Sequence, residues 1–271
     1  MPLTQQLRKL VRHVDEEGVV QTVRAVSGHL ARTASGKLEG TPGYYRGQQW
    51  RLHRRYDAAD LTPVWVSPAE ITSLTGAYER RGQGHLDYVP YFKPREAGWS
   101  SVPYHEEVPY GARRGGDWDQ QRPPFSKLLL YRGTRQRFVE GLDWEDTIYY
   151  TQLLDRFRSE GWSESDAKML SRARCERVDQ VYDTIEQEGY RSQRALDGHP
   201  LHEVTVTVGR DGELLYNCEG RHRLSVAKVV GIEEIPVLVL VQHDGFEGTV
   251  GRERPSRSRQ RDTRSQQQTH D

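Results

Sequence analysis

Within six residues, Cys218-Glu219-Gly220-Arg221-His222-Arg223, the chain sets a thiol, a carboxylate and three basic side chains around a glycine. The series lies between a strand-like stretch, "ELLYN" (213 to 217), and "RLSVAKVVG" (223 to 231), which has helical spacing. A helix opening near Arg223 presents unpaired backbone N–H groups and the positive end of its dipole. Gly220 lets a ligand approach the backbone, and Arg221, His222 and Arg223 add side-chain donors. That combination suits phosphate oxygens. A solvated basic turn, its arginines paired with Glu233 and Glu234, accounts for the same residues. A second group, Asp117-Trp118-Asp119, follows two glycines. Two carboxylates one residue apart can bind magnesium, and the tryptophan can stack on a base or cover a ligand. An Asx-type turn around a buried tryptophan explains that group equally well.

The elements around the basic turn are legible. "EVTVTV" (203 to 208) alternates as a strand does, "GRDG" is a hairpin turn, and "ELLYN" is the return strand. "RLSVAKVVG" is a helix ended by Gly231, and "IPVLVLV" (235 to 241) is a buried strand with Pro236 at its tolerated start. Upstream, residues 125 to 190 hold helical patterns with Asp143, Ser163 and Ser165 as cap candidates and Gly189 as a stop. "TPVWVSPAEI" (62 to 71) reads as a short buried strand, with Ser67 as a cap. Between them, residues 80 to 124 are rich in Gly, Pro and aromatic residues and have little periodicity. Such a stretch is too aromatic for a linker and is expected to be an ordered cover over the site. Residues 3 to 33 have the spacing of amphipathic helices, and Arg51 to Arg55 form a basic run. The expected organisation is an N-terminal helical segment (1 to 38), one α/β domain of the α+β kind (45 to 245), and a polar, disordered tail (246 to 271) with six arginines.

Composition narrows the classes of function. Lys plus Arg and Asp plus Glu each number 39, so no overall field draws the chain to nucleic acid or to an acidic membrane. A mean hydropathy of −0.84 fits a modest core with long polar segments. Cys175 and Cys218 match no Cys-x-x-Cys spacing, and two cysteines make no disulfide framework. A reducing, cytoplasmic setting is the expectation. No apolar run approaches the length of a membrane span.

Taken in order, strand, turn with Gly220, His222 and Arg223, helix with Ala227, Gly231, and the strand opening Ile235-Pro236-Val237 resemble the ParB/sulfiredoxin superfamily. The likeness is most specific over the C-terminal 65 or so residues and extends back to "VYDTIEQEGYRSQ" and, more distantly, to "TPVWVSPAEI". It implies one ParB/sulfiredoxin-like domain over residues 62 to 243 that binds a nucleotide or another phosphorylated ligand. The branches of the superfamily differ at this turn. Sulfiredoxins place their catalytic cysteine directly after the glycine, where this chain has Arg221, so Cys218 is not in the catalytic place. ParB partition proteins continue into metal-binding and DNA-binding helices, and no such pattern follows "IPVLVLV" here. The free-serine kinase branch has an acid before the glycine, where Glu219 stands. That likeness makes Glu219 a candidate magnesium ligand or proton acceptor for nucleotide hydrolysis or phosphoryl transfer. Glu219 also suits a turn residue paired with Arg221. A non-catalytic binding or scaffold protein is the alternative, and weak nucleic-acid binding through the basic run and tail is a third reading.

Overall fold

The computed structural model describes residues 56, 61–81, 85–94, 105–120 and 122–252. The helices expected over 3 to 33, the basic run and the end of the tail lie outside them. The described strands are β1 (Val64–Val66), β2 (Ser73–Leu74), β3 (Gly76–Arg81), β4 (His85–Pro90), β5 (Phe92–Pro94), β6 (Glu106–Val108), β7 (Ala112–Arg114), β8 (Val204–Val208), β9 (Leu214–Tyr216) and β10 (Ile235–His243). The described α-helices are α1 (Leu129–Phe138), α2 (Ile148–Ser159), α3 (Glu164–Glu188) and α4 (Arg221–Val230).

Alternation in β8 and β9 and continuous apolarity in β10 build the centre of a mixed sheet ordered β1-β10-β8-β9-β2. β8 and β9 form the antiparallel hairpin, while β8 and β10 run parallel. One edge of β10 is shared by two short strands. β1 pairs with its first part (Val64 opposite Val237), and β7 pairs with its last part (Ala112 opposite Val241). A register shift between Val239 and Val241 marks a bulge in β10.

Period 2 sends Val204, Val206, Val208, Leu214 and Tyr216 into the core beneath the helices. Leu215, Leu240 and Val241 belong to the opposite face, where Phe92, Val108 and Trp118 cover them. Both faces of the central strands are therefore buried. Helix ends follow local chemistry. Ser163 caps α3 by accepting from the Asp166 N–H at 3.1 Å, and Gly189 ends it at φ 74°. α2 starts later than Asp143: a short 3-10 turn over Trp144–Asp146 intervenes, and the Thr147 hydroxyl accepts from the Tyr150 N–H. Asp143 makes no capping bond.

Two expectations are corrected. Over its described residues the 80 to 124 segment is not irregular: it carries β4, β5 and β6, and its β7 joins the main sheet. Strands of three residues are too short to show a period. The tail also begins later than residue 246. Phe246 and Val250 pack on the core, and Arg252 exchanges backbone hydrogen bonds with Trp65 at 2.9 and 3.2 Å. Among the described residues, no helix is long and apolar enough to cross a membrane.

Candidate functional site

The basic turn is positioned by β8. Beyond β9, the Asn217 N–H donates to the Thr205 carbonyl at 3.0 Å, and the Thr205 N–H donates to the Glu219 carbonyl at 3.2 Å. Pairing holds the chain against β8 as far as Glu219. Gly220, at φ 77°, then reverses it into α4. A Cβ at Gly220 would lie 2.8 Å from both Cα and Cγ2 of Val204. Packing against β8 therefore demands the glycine. Gly220 has no side chain to cap α4, and the Leu224 N–H reaches its carbonyl at 2.9 Å. The N–H groups of Arg221, His222 and Arg223 have no partner among the described residues.

The side chains at the helix start differ sharply in setting. Arg221 is exposed and His222 half-buried. Burial holds the His222 imidazole down at about 3, and Arg221, Arg177, Arg174 and Arg223 reinforce the effect. The ring is neutral at physiological pH, so it contributes hydrogen bonding rather than charge. Arg174 and Arg177 project from α3, are exposed, and lie within electrostatic reach of His222. Among the described residues, no carboxylate comes within ion-pair distance of Arg174, Arg177 or Arg221. The pairing of this turn with Glu233 and Glu234 does not form; Glu234 pairs with Arg252 at 2.6 Å.

Arg223 is turned inward. It is 19% exposed and pairs at 3.3 Å with Glu203, whose side chain is 0% exposed. The other Glu203 oxygen accepts from the Gln193 N–H at 2.5 Å. Burial pushes the Glu203 carboxyl up to about 7, against the opposing pull of the Gln193 N–H, Arg223 and Arg194. Glu219 is raised to about 7 as well, by burial, against Arg223, the Gly220 N–H and Arg221. Its carboxylate makes no ion pair with Arg221 within 4 Å. Burial pushes the Cys218 thiol far above its usual range, so it is not a thiolate.

Asp117, Trp118 and Asp119 lie at the opposite end of the β8–β9 hairpin. Trp118 is 7% exposed, and its ring sits 5.0 Å from Phe92 and 5.7 Å from His243. Asp119 is fully buried and accepts from the Arg210 backbone N–H at 2.8 Å and from its guanidinium at 2.8 to 3.2 Å. Burial alone pushes the Asp119 carboxyl up, but the Arg210 donors and His243 hold it at about 2. Asp117 pairs with the same Arg210 at 2.9 Å. Arg210 stands in the hairpin turn beyond the end of β8 at Val208. The Asp117 and Asp119 carboxylates clamp the hairpin turn through Arg210, while Trp118 packs in the cluster that includes Phe92 and Cys218. Among the described residues, no group of three His, Cys, Asp or Glu side chains is placed to hold a metal ion.

What the aromatic segment does bring to the Gly220 turn is Phe92, Lys93 and Tyr110. Asn217 Nδ2 donates to the Phe92 carbonyl at 2.9 Å, and the Tyr110 hydroxyl lies 3.3 Å from Thr205 Oγ1. Lys93 is 7% exposed, and burial lowers its pKa against the pull of Glu107 and Cys218. Glu203, Arg174, Arg177 and Lys93 were not singled out from the sequence. Only Glu203 carried a signal, an acid standing directly before a strand that is otherwise apolar and threonine. No family model, curated protein or solved structure matches the chain.

Proposed function

We propose that the start of α4 binds the phosphate group of a nucleotide or another phosphorylated small molecule. One observation carries the reading: among the described residues, Arg221, Arg174 and Arg177 gather without acid partners beside a helix terminus whose first N–H groups are unclaimed. Cations that serve the fold are paired, as Arg122 and Arg210 are. Unpaired ones concentrated at a helix N-terminus favour an anion. The strand, hairpin, basic turn, helix and strand succession from Val204 to His243 supports the ParB/sulfiredoxin-like reading on which a nucleotide is the first choice of ligand.

A second reading, hydrolysis or phosphoryl transfer, rests on Glu219. A carboxyl raised to about 7 beside a phosphate site is suited to accept a proton from an attacking hydroxyl or water. Magnesium needs only one or two carboxylates when phosphate oxygens complete its shell, so Glu219 is the residue that would hold it. Without turnover, the same geometry serves a binding or scaffold protein.

A thermal-shift screen of nucleotides and phosphorylated metabolites, with and without magnesium, tests the reading, because a ligand of the native state raises the melting temperature. Arg221→Ala should weaken binding of any hit about tenfold with the fold intact. Affinity unchanged by Arg221→Ala and Arg174→Ala rejects the assignment. Glu219→Gln separates the two readings: turnover lost with binding retained identifies an enzyme.

A further inference from the structure

Glu203 and Arg223 form the one ion pair at this turn among the described residues, and its construction is unequal. Glu203 is 0% exposed, while Arg223, on the first turn of α4, keeps 19%. One carboxylate oxygen is fixed by the Gln193 N–H at 2.5 Å. The other meets Arg223 at 3.3 Å, longer than the roughly 2.7–2.9 Å of a strong charge-assisted bond. The groups facing Glu203 are Arg223 from α4, Arg194 from the turn after α3, and Tyr190, whose hydroxyl has no hydrogen-bond partner. Glu219 also lies within electrostatic reach of Arg223.

An anion at the α4 terminus would meet Arg221 and the free N–H groups first, and Arg223 next. We infer that a ligand phosphate and the Glu203 carboxylate compete for the Arg223 guanidinium, so that anion binding draws a proton from solvent onto Glu203. The inference rests on the phosphate reading above. Its physical basis is the cost of leaving a buried carboxylate short of its counter-charge, which protonation removes. Glu203 already stands near neutrality in its proton affinity, so small changes at Arg223 tip it. Glu203 is then more than a prop for Arg223: it sets the strength of the site according to pH.

Inorganic sulfate is the probe, because it remains a dianion across the range and adds no proton of its own. Its dissociation constant is measured on the full chain from pH 6.5 to 8.5 for wild type, Glu203→Gln and Arg221→Ala. Above pH 7, wild-type affinity should fall by up to about tenfold per unit relative to Glu203→Gln. At pH 8.5 Glu203→Gln should bind sulfate more tightly than wild type. Weaker binding by Glu203→Gln at pH 8.5, or a wild-type to variant ratio that does not change with pH, overturns the inference. If Glu203→Gln does not fold, calorimetry in buffers of different ionisation enthalpy counts protons instead. Wild type should then take up protons on binding above pH 7, and Arg223→Ala should not; equal uptake by both overturns the idea. Sulfate affinity unmoved by Arg221→Ala rejects the phosphate reading and this inference with it. Affinity that responds to Arg221→Ala while the pH ratio stays constant rejects the inference alone.

Discussion

The two ends of the β8–β9 hairpin use the same residue types to opposite effect. At the turn end, each arginine has acid partners: Arg210 holds Asp119 and Asp117, and Arg122 holds Asp211 and Glu213. At the α4 end, Arg221, Arg174 and Arg177 have no acid partner among the described residues, and the two nearby carboxyls are raised towards neutrality. A carboxyl held at about 2 marks charges that satisfy one another. Glu203 and Glu219, raised to about 7, are carboxyls whose burial is only partly offset by the arginines near them. Motifs rich in charge are therefore told apart by whether the fold closes their accounts.

The largest effect should come from breaking the closed end. Asp119→Ala removes the fully buried carboxylate that holds the Arg210 backbone N–H and should cost about 3 kcal/mol, the upper end for leaving a buried hydrogen-bonding group without its partner. The melting temperature should fall by more than about 6 °C, while affinity at the α4 end stays within twofold. A loss below about 1 kcal/mol would mean that the clamp is ornamental. Gly220→Ala comes next, at about 1–3 kcal/mol, because it forces a Cβ onto Val204 at positive φ. Denaturant unfolding measures this directly. A stable Gly220→Ala that loses only ligand affinity would favour the ligand-access role of the glycine.

The two ends also differ in the sign of their pH response. Asp119 is depressed, so its stabilisation is full above the unfolded value of about 3.8 and is lost as pH falls towards about 2. Glu203 and Glu219 are raised, so their contribution is full below the unfolded value of 4.5 and is lost as pH rises through about 7. Each raised group gives a slope of at most about 1.4 kcal/mol per pH unit. Melting temperatures between pH 4.5 and 7 should thus decline with pH, and Glu203→Gln should flatten the decline. A profile identical in the variant would show that Glu203 is not the group responsible. Arg252→Ala should have the smallest effect, with the melting temperature nearly unchanged, as its partnership with Glu234 lies at the surface. A larger loss of melting temperature would show that the Arg252 backbone bridge to β1 depends on that side chain.

Legibility followed the length over which a pattern repeats. The β8–β9 hairpin, α4 and β10 were readable because alternation, a turn signal and Gly231 agree across neighbouring elements. The strands of the aromatic segment were not, since β5 and β7 each span three residues. The basic turn was readable as a possible anion site, but its composition was not. Arg174 and Arg177 come from α3, and nothing in their spacing says that this face of α3 meets α4. His222 is a neutral ring rather than a cation because burial disfavours its charge, an effect that those arginines reinforce. Arg223 is held inward by Glu203, twenty residues away in the chain. Pairing across such separations leaves no local trace. Asp117 and Asp119 invited a metal reading for the same reason, as the arginine that claims them stands in a distant hairpin turn.

One measurement sets the two ends against each other directly. Inorganic pyrophosphate is titrated into isotopically labelled protein at pH 7 while backbone amide resonances are followed. The account predicts saturable shifts centred on Arg221, His222 and Arg223, with the amides of Arg210 and Gly212 unmoved. Saturable shifts centred on the hairpin turn, or none that saturate at the start of α4, would contradict it.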